Sequence, residues 1–232
     1  MEFNEKIDEF VKNLLNIKPD AKILENALHG TTIVAVKYKG GVVMAGDMRM
    51  CMGQMEISSE TFEKVFRVDG KTLIAIAGTA SIALQAIEFL KTEIEYYEKI
   101  EESELSFEAK ANLLSKILNK LAPLGAQGIV FLPILASKDK IYAFDGLGMS
   151  FERNCYACGS GESFVIAGME KAWKENLTKE EAVKIVVDAL DMAAAKNLQT
   201  GLNKAIYIVE NEIKKLTEAE IKQARGGDKD GK

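Results

Sequence analysis

The stretch His29-Gly30-Thr31-Thr32-Ile33-Val34-Ala35-Val36-Lys37-Tyr38 leads into Lys39-Gly40-Gly41 and on through Val42-Val43-Met44-Ala45-Gly46-Asp47. Two apolar runs rich in β-branched residues flank a Lys-Gly-Gly turn, the pattern of a β-hairpin. The first run opens with a hydroxyl residue directly after Gly30. A cut between Gly30 and Thr31 would leave Thr31 with a free α-amine beside its own hydroxyl, a base and a nucleophile on one residue. A threonine at the start of a strand is common in itself, so the surroundings must decide its role.

Upstream, Phe3, Ile7, Phe10, Val11, Leu14 and Leu15 recur at helical spacing until Pro19-Asp20 breaks the run, and a second apolar patch follows at Ile23, Leu24 and Leu28. This segment reads either as a helix packed on the body or as a propeptide that keeps Thr31 blocked. The hairpin begins only after Gly30, which favours the propeptide. The expected division is therefore 1–30, a body over 31–225, and a Gly- and charge-rich disordered tail over 226–232.

Downstream, 48–60 reads as irregular. Lys64–Val68 and Thr72–Ala77 form a second hairpin across Asp69-Gly70, and Gly78-Thr79-Ala80-Ser81 opens a long helix to about Ile100. Ser106 caps another helix to about Leu121. Ile129–Leu135 is a buried-type strand in which Pro133 suggests a bulge or an edge, Ile141–Phe144 pairs with it, and Met149–Cys158 reads as one more strand. Gly159-Ser160-Gly161-Glu162-Ser163 opens a helix, and Thr178 with Glu181 makes a capping box for the helix Lys179–Lys196. Lys204–Glu210 is read as the last strand. Strands, two helices, strands, two helices and a strand give an α+β order, with no βαβ alternation to support a parallel sheet.

The 232 residues suffice for one domain with a sizeable core. Net charge is −5 with no Lys/Arg block, which gives no electrostatic case for nucleic acid. No apolar run reaches membrane-spanning length, and the acidic start lacks a signal-peptide core. Cys51, Cys155 and Cys158 then read as reduced thiols of a cytoplasmic protein. Residues three apart in a strand face opposite sides, so Cys155 and Cys158 are expected in the core. With His29 as the lone histidine, zinc ligation and a Ser-His-Asp triad find too few partners. Neither metal nor cofactor is implied.

Thr31 through Asp47 resembles the start of a mature proteasome β subunit, most closely the actinobacterial kind and more distantly the peptidase HslV. The resemblance spans about residues 29–215 and is strongest at Thr31–Asp47 and Ile76–Thr79. It implies a four-layer αββα sandwich, the N-terminal nucleophile hydrolase fold, and a threonine endopeptidase matured by autocatalytic cleavage between Gly30 and Thr31. By the same resemblance Lys64 falls where the catalytic lysine belongs, with one extra residue between Gly53 and Lys64, and Asp47 is the carboxylate that neutralises it. Gly78 would offer its N–H to the oxyanion, and Ser160 would hydrogen-bond near the threonine amine. The family's supporting aspartate aligns with Asn197 and its last supporting hydroxyl with Thr200. Asn197 keeps a hydrogen-bonding carbonyl but loses the charge. Met50, Cys51, Phe62, Ile76 and Ala80 correspond to the substrate pocket, whose apolar character implies cleavage after hydrophobic residues.

The implied partners are a homo-heptameric β ring in an α7β7β7α7 core particle, a proteasome α subunit, a ring ATPase unfoldase and protein substrates. Alternatives are an HslV-like peptidase, a non-catalytic scaffold subunit suggested by Asn197 and Leu198, and a small-molecule amidase of the same fold.

Overall fold

The computed structural model describes residues 3–16, 30–52 and 56–225. The apolar patch at Ile23, Leu24 and Leu28, the lone His29, and the tail over 226–232 lie outside the described residues.

The opening hairpin forms as its pattern demands. Strands β1 (Thr32–Tyr38) and β2 (Gly41–Asp47) pair antiparallel, with Val34 opposite Ala45 and Ile33 opposite Gly46. They lie inside a five-stranded sheet of order β10-β1-β2-β11-β12, completed by β10 (Cys155–Gly159), β11 (Lys204–Val209) and β12 (Ile213–Lys215). A second five-stranded sheet runs β5-β6-β7-β8-β9. Its strands are Val65–Arg67, Leu73–Gly78, Phe131–Ala136, Ile141–Phe144 and Ser150–Arg153. All the pairings are antiparallel.

Strand alternation then builds three cores. Ile33, Ala35, Val42 and Met44 of the first sheet meet Val65, Leu73, Ala75 and Ile134 of the second between the sheets. Val34, Val36, Val43 and Ala45 face outward onto helices Glu162–Ala172 (α4), Lys179–Lys196 (α5) and Glu218–Ala224 (α6). Ile74, Ile76 and Leu135 face the opposite way, onto Ala80–Ile100 (α2) and Phe107–Leu121 (α3). Helix, sheet, sheet and helix make the four-layer αββα sandwich. Burial on both faces explains why β1 and β2 read as continuous apolar runs rather than half-polar ones. Among the described residues no helix is long and apolar enough to cross a membrane.

The N-terminal helix α1 (Phe3–Asn16) packs on α2 and α3. Phe3, Ile7 and Leu14 are buried there, Phe10 stacks on Phe89 with ring centroids 4.7 Å apart, and Lys6 pairs with Glu93 at 3.0 Å.

Five local expectations are corrected. The stretch after Asp47 is not wholly irregular: β3 (Met50–Met52) and β4 (Glu56–Ser59) form a small hairpin of their own. Pro133 sits in an interior strand whose pairing to β6 runs without a register shift. It is tolerated because β8 pairs only with Ile134–Ala136. Met149–Cys158 divides into β9 and β10, which belong to different sheets, with Asn154 at the change. Residue parity survives the break: Cys155 joins the outer core and Cys158 the inter-sheet core. Gly78 closes β6 rather than opening the helix, for which Thr79 is the N-cap. Beyond Val209, β12 and α6 were not anticipated, because three paired residues and a two-turn helix are too short to show a period.

Candidate active site

Thr31 is buried at the foot of β1, and Thr32 makes the first ladder pair, opposite Gly159. The Thr31 N–H donates to Ser160 Oγ at 3.2 Å, and Ser160 Oγ returns a bond to the Thr31 carbonyl at 3.2 Å. Ser160 follows β10, so the pairing of β10 with β1 is what brings it here.

Asp47 ends β2 and is fully buried, where an ionised carboxylate must find donors. It finds four. Oδ1 accepts from Thr32 N–H at 2.8 Å and Lys64 Nζ at 2.7 Å, and Oδ2 accepts from Arg49 N–H at 3.0 Å and Gly201 N–H at 2.9 Å. Lys64, just before β5, reaches across from the second sheet and also donates to the Arg49 carbonyl at 2.5 Å. Burial pushes the Lys64 ammonium below the ordinary lysine range, while the Asp47 charge opposes that fall. The pair therefore supplies a cation that is dry, fixed and easier to deprotonate than a surface lysine.

The loop from Asn197 to Leu202 closes the cluster. Asn197, the C-cap of α5, donates through Nδ2 to Ser160 Oγ at 2.6 Å and to Thr200 Oγ1 at 3.1 Å. Its carbonyl oxygen accepts from the Gln199 N–H at 3.1 Å, which fixes the orientation of the amide. This corrects the expectation that the Asn197 carbonyl would serve the site: its NH2 group does. Thr200 Oγ1 lies 2.7 Å from Thr32 Oγ1. Thr31, Asp47, Lys64, Ser160, Asn197 and Thr200 thus share one hydrogen-bonded network.

Gly30 packs directly under the same loop. A Cβ on Gly30 would fall 2.0 Å from Gln199 Cβ and 2.6 Å from its carbonyl oxygen, so glycine alone fits beside Thr31. Gly78 stands apart from the network, at the end of β6 opposite Phe131. Its φ of +103° and the Val130 carbonyl, 2.1 Å from where a Cβ would sit, give it a backbone reason to be glycine. The first turn of α2 follows it without a side-chain cap.

Met50 and Cys51 lie on β3, and the Cys51 thiol approaches the Gln199 carbonyl at 4.0 Å. Ile76 is buried in the outer core that Phe62 also packs against, and Ala80 is the first residue of α2. Three contributors escaped the sequence reading: Thr32, the Arg49 backbone and the Gly201 N–H. Only Thr32 had a signal, since adjacent threonines in a strand must point to opposite faces.

An αββα sandwich that sets a threonine at the head of a central strand, beside a buried lysine and carboxylate, is the architecture of the N-terminal nucleophile hydrolases. The sequence model of the family described as Proteasome subunit matches residues 27–209, and the chain belongs to that family. It is similar to the proteasome subunit beta of Streptomyces griseus, 40% identical over 182 residues that cover 75% of this chain and 64% of the relative. It is also similar to that of Acidothermus cellulolyticus, 38% identical over 195 residues, covering 78% and 67%. With the subunit beta of Jonesia denitrificans it shares 40% identity over 182 residues, covering 75% and 60%. The chain spans about two thirds of the length of these curated relatives.

Proposed function

We propose that the chain is the catalytic β subunit of a proteasome core particle, a threonine endopeptidase that removes residues 1–30 autocatalytically and then degrades unfolded proteins to peptides. The observation that carries this reading is the network joining the Thr31 nitrogen to Ser160 and, through Thr32, to the buried Asp47–Lys64 pair. In the uncut chain that nitrogen is an amide. Attack of Thr31 Oγ1 on the Gly30 carbonyl breaks the peptide bond, releases the Thr31 nitrogen as an amine and leaves an ester that water hydrolyses.

The freed amine then stands where the amide stood, facing Ser160. An α-amine has a pKa of about 7.7 to 8.0, so near neutral pH it accepts the proton of its own hydroxyl as that oxygen attacks a substrate carbonyl. The nearby Lys64 ammonium opposes protonation of the amine and favours the ionising oxygen. The acyl-enzyme that forms is cleared by water. The Gly78 N–H is proposed to face the oxyanion, and Met50, Cys51, Phe62, Ile76 and Ala80 to form an apolar first pocket. The family reading adds seven-membered β rings between α rings, an ATPase that feeds them, and a cytoplasmic location.

Intact mass after assembly with an α subunit tests the proposal. Loss of residues 1–30 together with peptide hydrolysis is expected from the native chain, and neither from Thr31→Ala. A native chain that keeps its N-terminus would favour the scaffold alternative, for which the uncharged Asn197 is the motive.

A further inference from the structure

The 197–202 loop is held on two sides. Its inner side is the site itself: Thr200 on Thr32, and the Gly201 N–H on Asp47. On its outer side, Lys204 Nζ donates to the Leu202 carbonyl at 3.1 Å and to Asp191 Oδ1 of α5 at 2.6 Å. The Lys204 side chain is almost wholly buried, so its charge depends on that carboxylate. Asp191 is in turn gripped by Arg225, which follows α6. Nε donates to Oδ2 at 2.8 Å and an Nη to Oδ1 at 2.6 Å, the two-pronged geometry a guanidinium makes with a carboxylate.

We propose that Arg225 is a positioning residue for the site: through Asp191 and Lys204 it braces the loop that holds Thr200 and Gly201 against Thr32 and Asp47. The match to the family model ends at residue 209, so α6 and Arg225 lie beyond the matched residues. The placement of α6 supports the role. Ile221 anchors the helix in the outer core, and Thr217 with Glu220 caps it, so Arg225 is carried on a fixed element. Between α6 and the site lies an open cleft with Leu202, Asn203 and Glu60 on its far wall. Across that cleft the Arg225–Asp191–Lys204 chain is the polar link. Lys204 also begins β11 in register with Asp47 of β2, so the same residue that braces the loop sits in the strand ladder beside the residue that holds Lys64.

The part of this inference that concerns turnover rests on the proposed function; the part that concerns the loop does not. The test therefore uses two readouts on the protein expressed from the full sequence and allowed to mature. In the matured protein, Arg225→Gln is expected to lower kcat on a short fluorogenic peptide with leucine before the scissile bond by about tenfold, with KM within about twofold, because misplaced catalytic groups cost rate rather than binding. Arg225→Lys keeps the charge and is expected to recover part of the loss. Amide hydrogen exchange at Thr200 and Gly201 is expected to quicken by about tenfold in Arg225→Gln. Unchanged kcat together with unchanged exchange overturns the proposal, as does a loss confined to KM or one that Arg225→Lys fails to lessen. If the native chain hydrolyses no peptide beyond what Thr31→Ala does, the proposed function has failed, and exchange at the two amides still decides the brace.

Discussion

Among the described residues three lysines are buried, and the ion pairs of two of them, Lys64 and Lys110, are built differently. Lys64 and Asp47 are 2% and 0% exposed, and the carboxylate already accepts three backbone N–H groups besides the ammonium. Lys110, in α3, is 7% exposed but meets Asp69 and Glu98, which are 21% and 27% exposed. The second pair staples the turn between β5 and β6 to the outer helices, and water can replace either partner. The first has no such reserve. A fully buried ion pair adds little net stability over apolar packing, so stability is a poor reason for Lys64 to be there. Its position, one acceptor away from the Thr32 N–H and so beside Thr31, is the better one. On the proposed function, the dry charge is held for the nucleophile, and the wet one where two elements need only be joined.

Removing Asp47 should break that contrast most forcefully. Asp47→Asn leaves the Lys64 ammonium buried without its counter-charge, and a loss of about 3 to 5 kcal/mol in unfolding free energy is expected, read by denaturant titration. The pH dependence has a definite sign. Burial already lowers the Lys64 pKa from 10.5, and without Asp47 it falls further. A lysine lowered in the folded state binds fewer protons there than in the unfolded chain, so stability rises with pH. Its contribution is fully present above 10.5 and is lost as pH falls through the folded value. Asp47→Asn is therefore expected to be more stable at pH 9 than at pH 6, with a steeper slope than the native chain. A slope equal to the native one would sink this account of the pair.

Removing the other partner is expected to be milder for the fold and severe for the chemistry. In Lys64→Met the Asp47 carboxylate keeps its three backbone donors, so the cost is about 1 to 3 kcal/mol. If Lys64 tunes the proton traffic at Thr31, peptide turnover should fall by about 10²- to 10⁴-fold. Full turnover in Lys64→Met would make the pair structural after all and erase its difference from Lys110.

The unequal legibility of these features has a physical cause. Alternation and β-branched runs made β1 and β2 plain, and the resemblance to proteasome β subunits singled out Thr31, Asp47 and Lys64. What held them was less visible, because half the clamp is backbone: the Arg49 carbonyl and the Gly201 N–H carry no side-chain signature. Asn197 shows the same limit from another side. Its identity announced a lost charge, but which end of the amide would face Ser160 was decided by the Gln199 N–H two residues on. The change of sheet at Asn154 was hidden for a different reason, since β9 and β10 follow each other with no turn residue between them strong enough to mark a break.

The smallest effect is expected at the surface-facing pair. Lys110→Met keeps the apolar stem that packs in α3 and frees Asp69 and Glu98, both already in contact with water. Asp69 also retains the Lys71 N–H, and Glu98 the Leu105 N–H, so neither carboxylate is left without a donor. The loss should be no more than about 1 kcal/mol, as for other partly solvated pairs, and it should shrink further in high salt, where the exposed carboxylates are screened. Lys64→Met should show no comparable salt relief, because its pair sits beyond the reach of ions. Measured side by side at low and high ionic strength, the two methionine variants separate a charge kept for chemistry from one kept for architecture. Equal salt sensitivity in both would mean that ions reach the surroundings of Asp47 and that the distinction between the pairs is only one of degree.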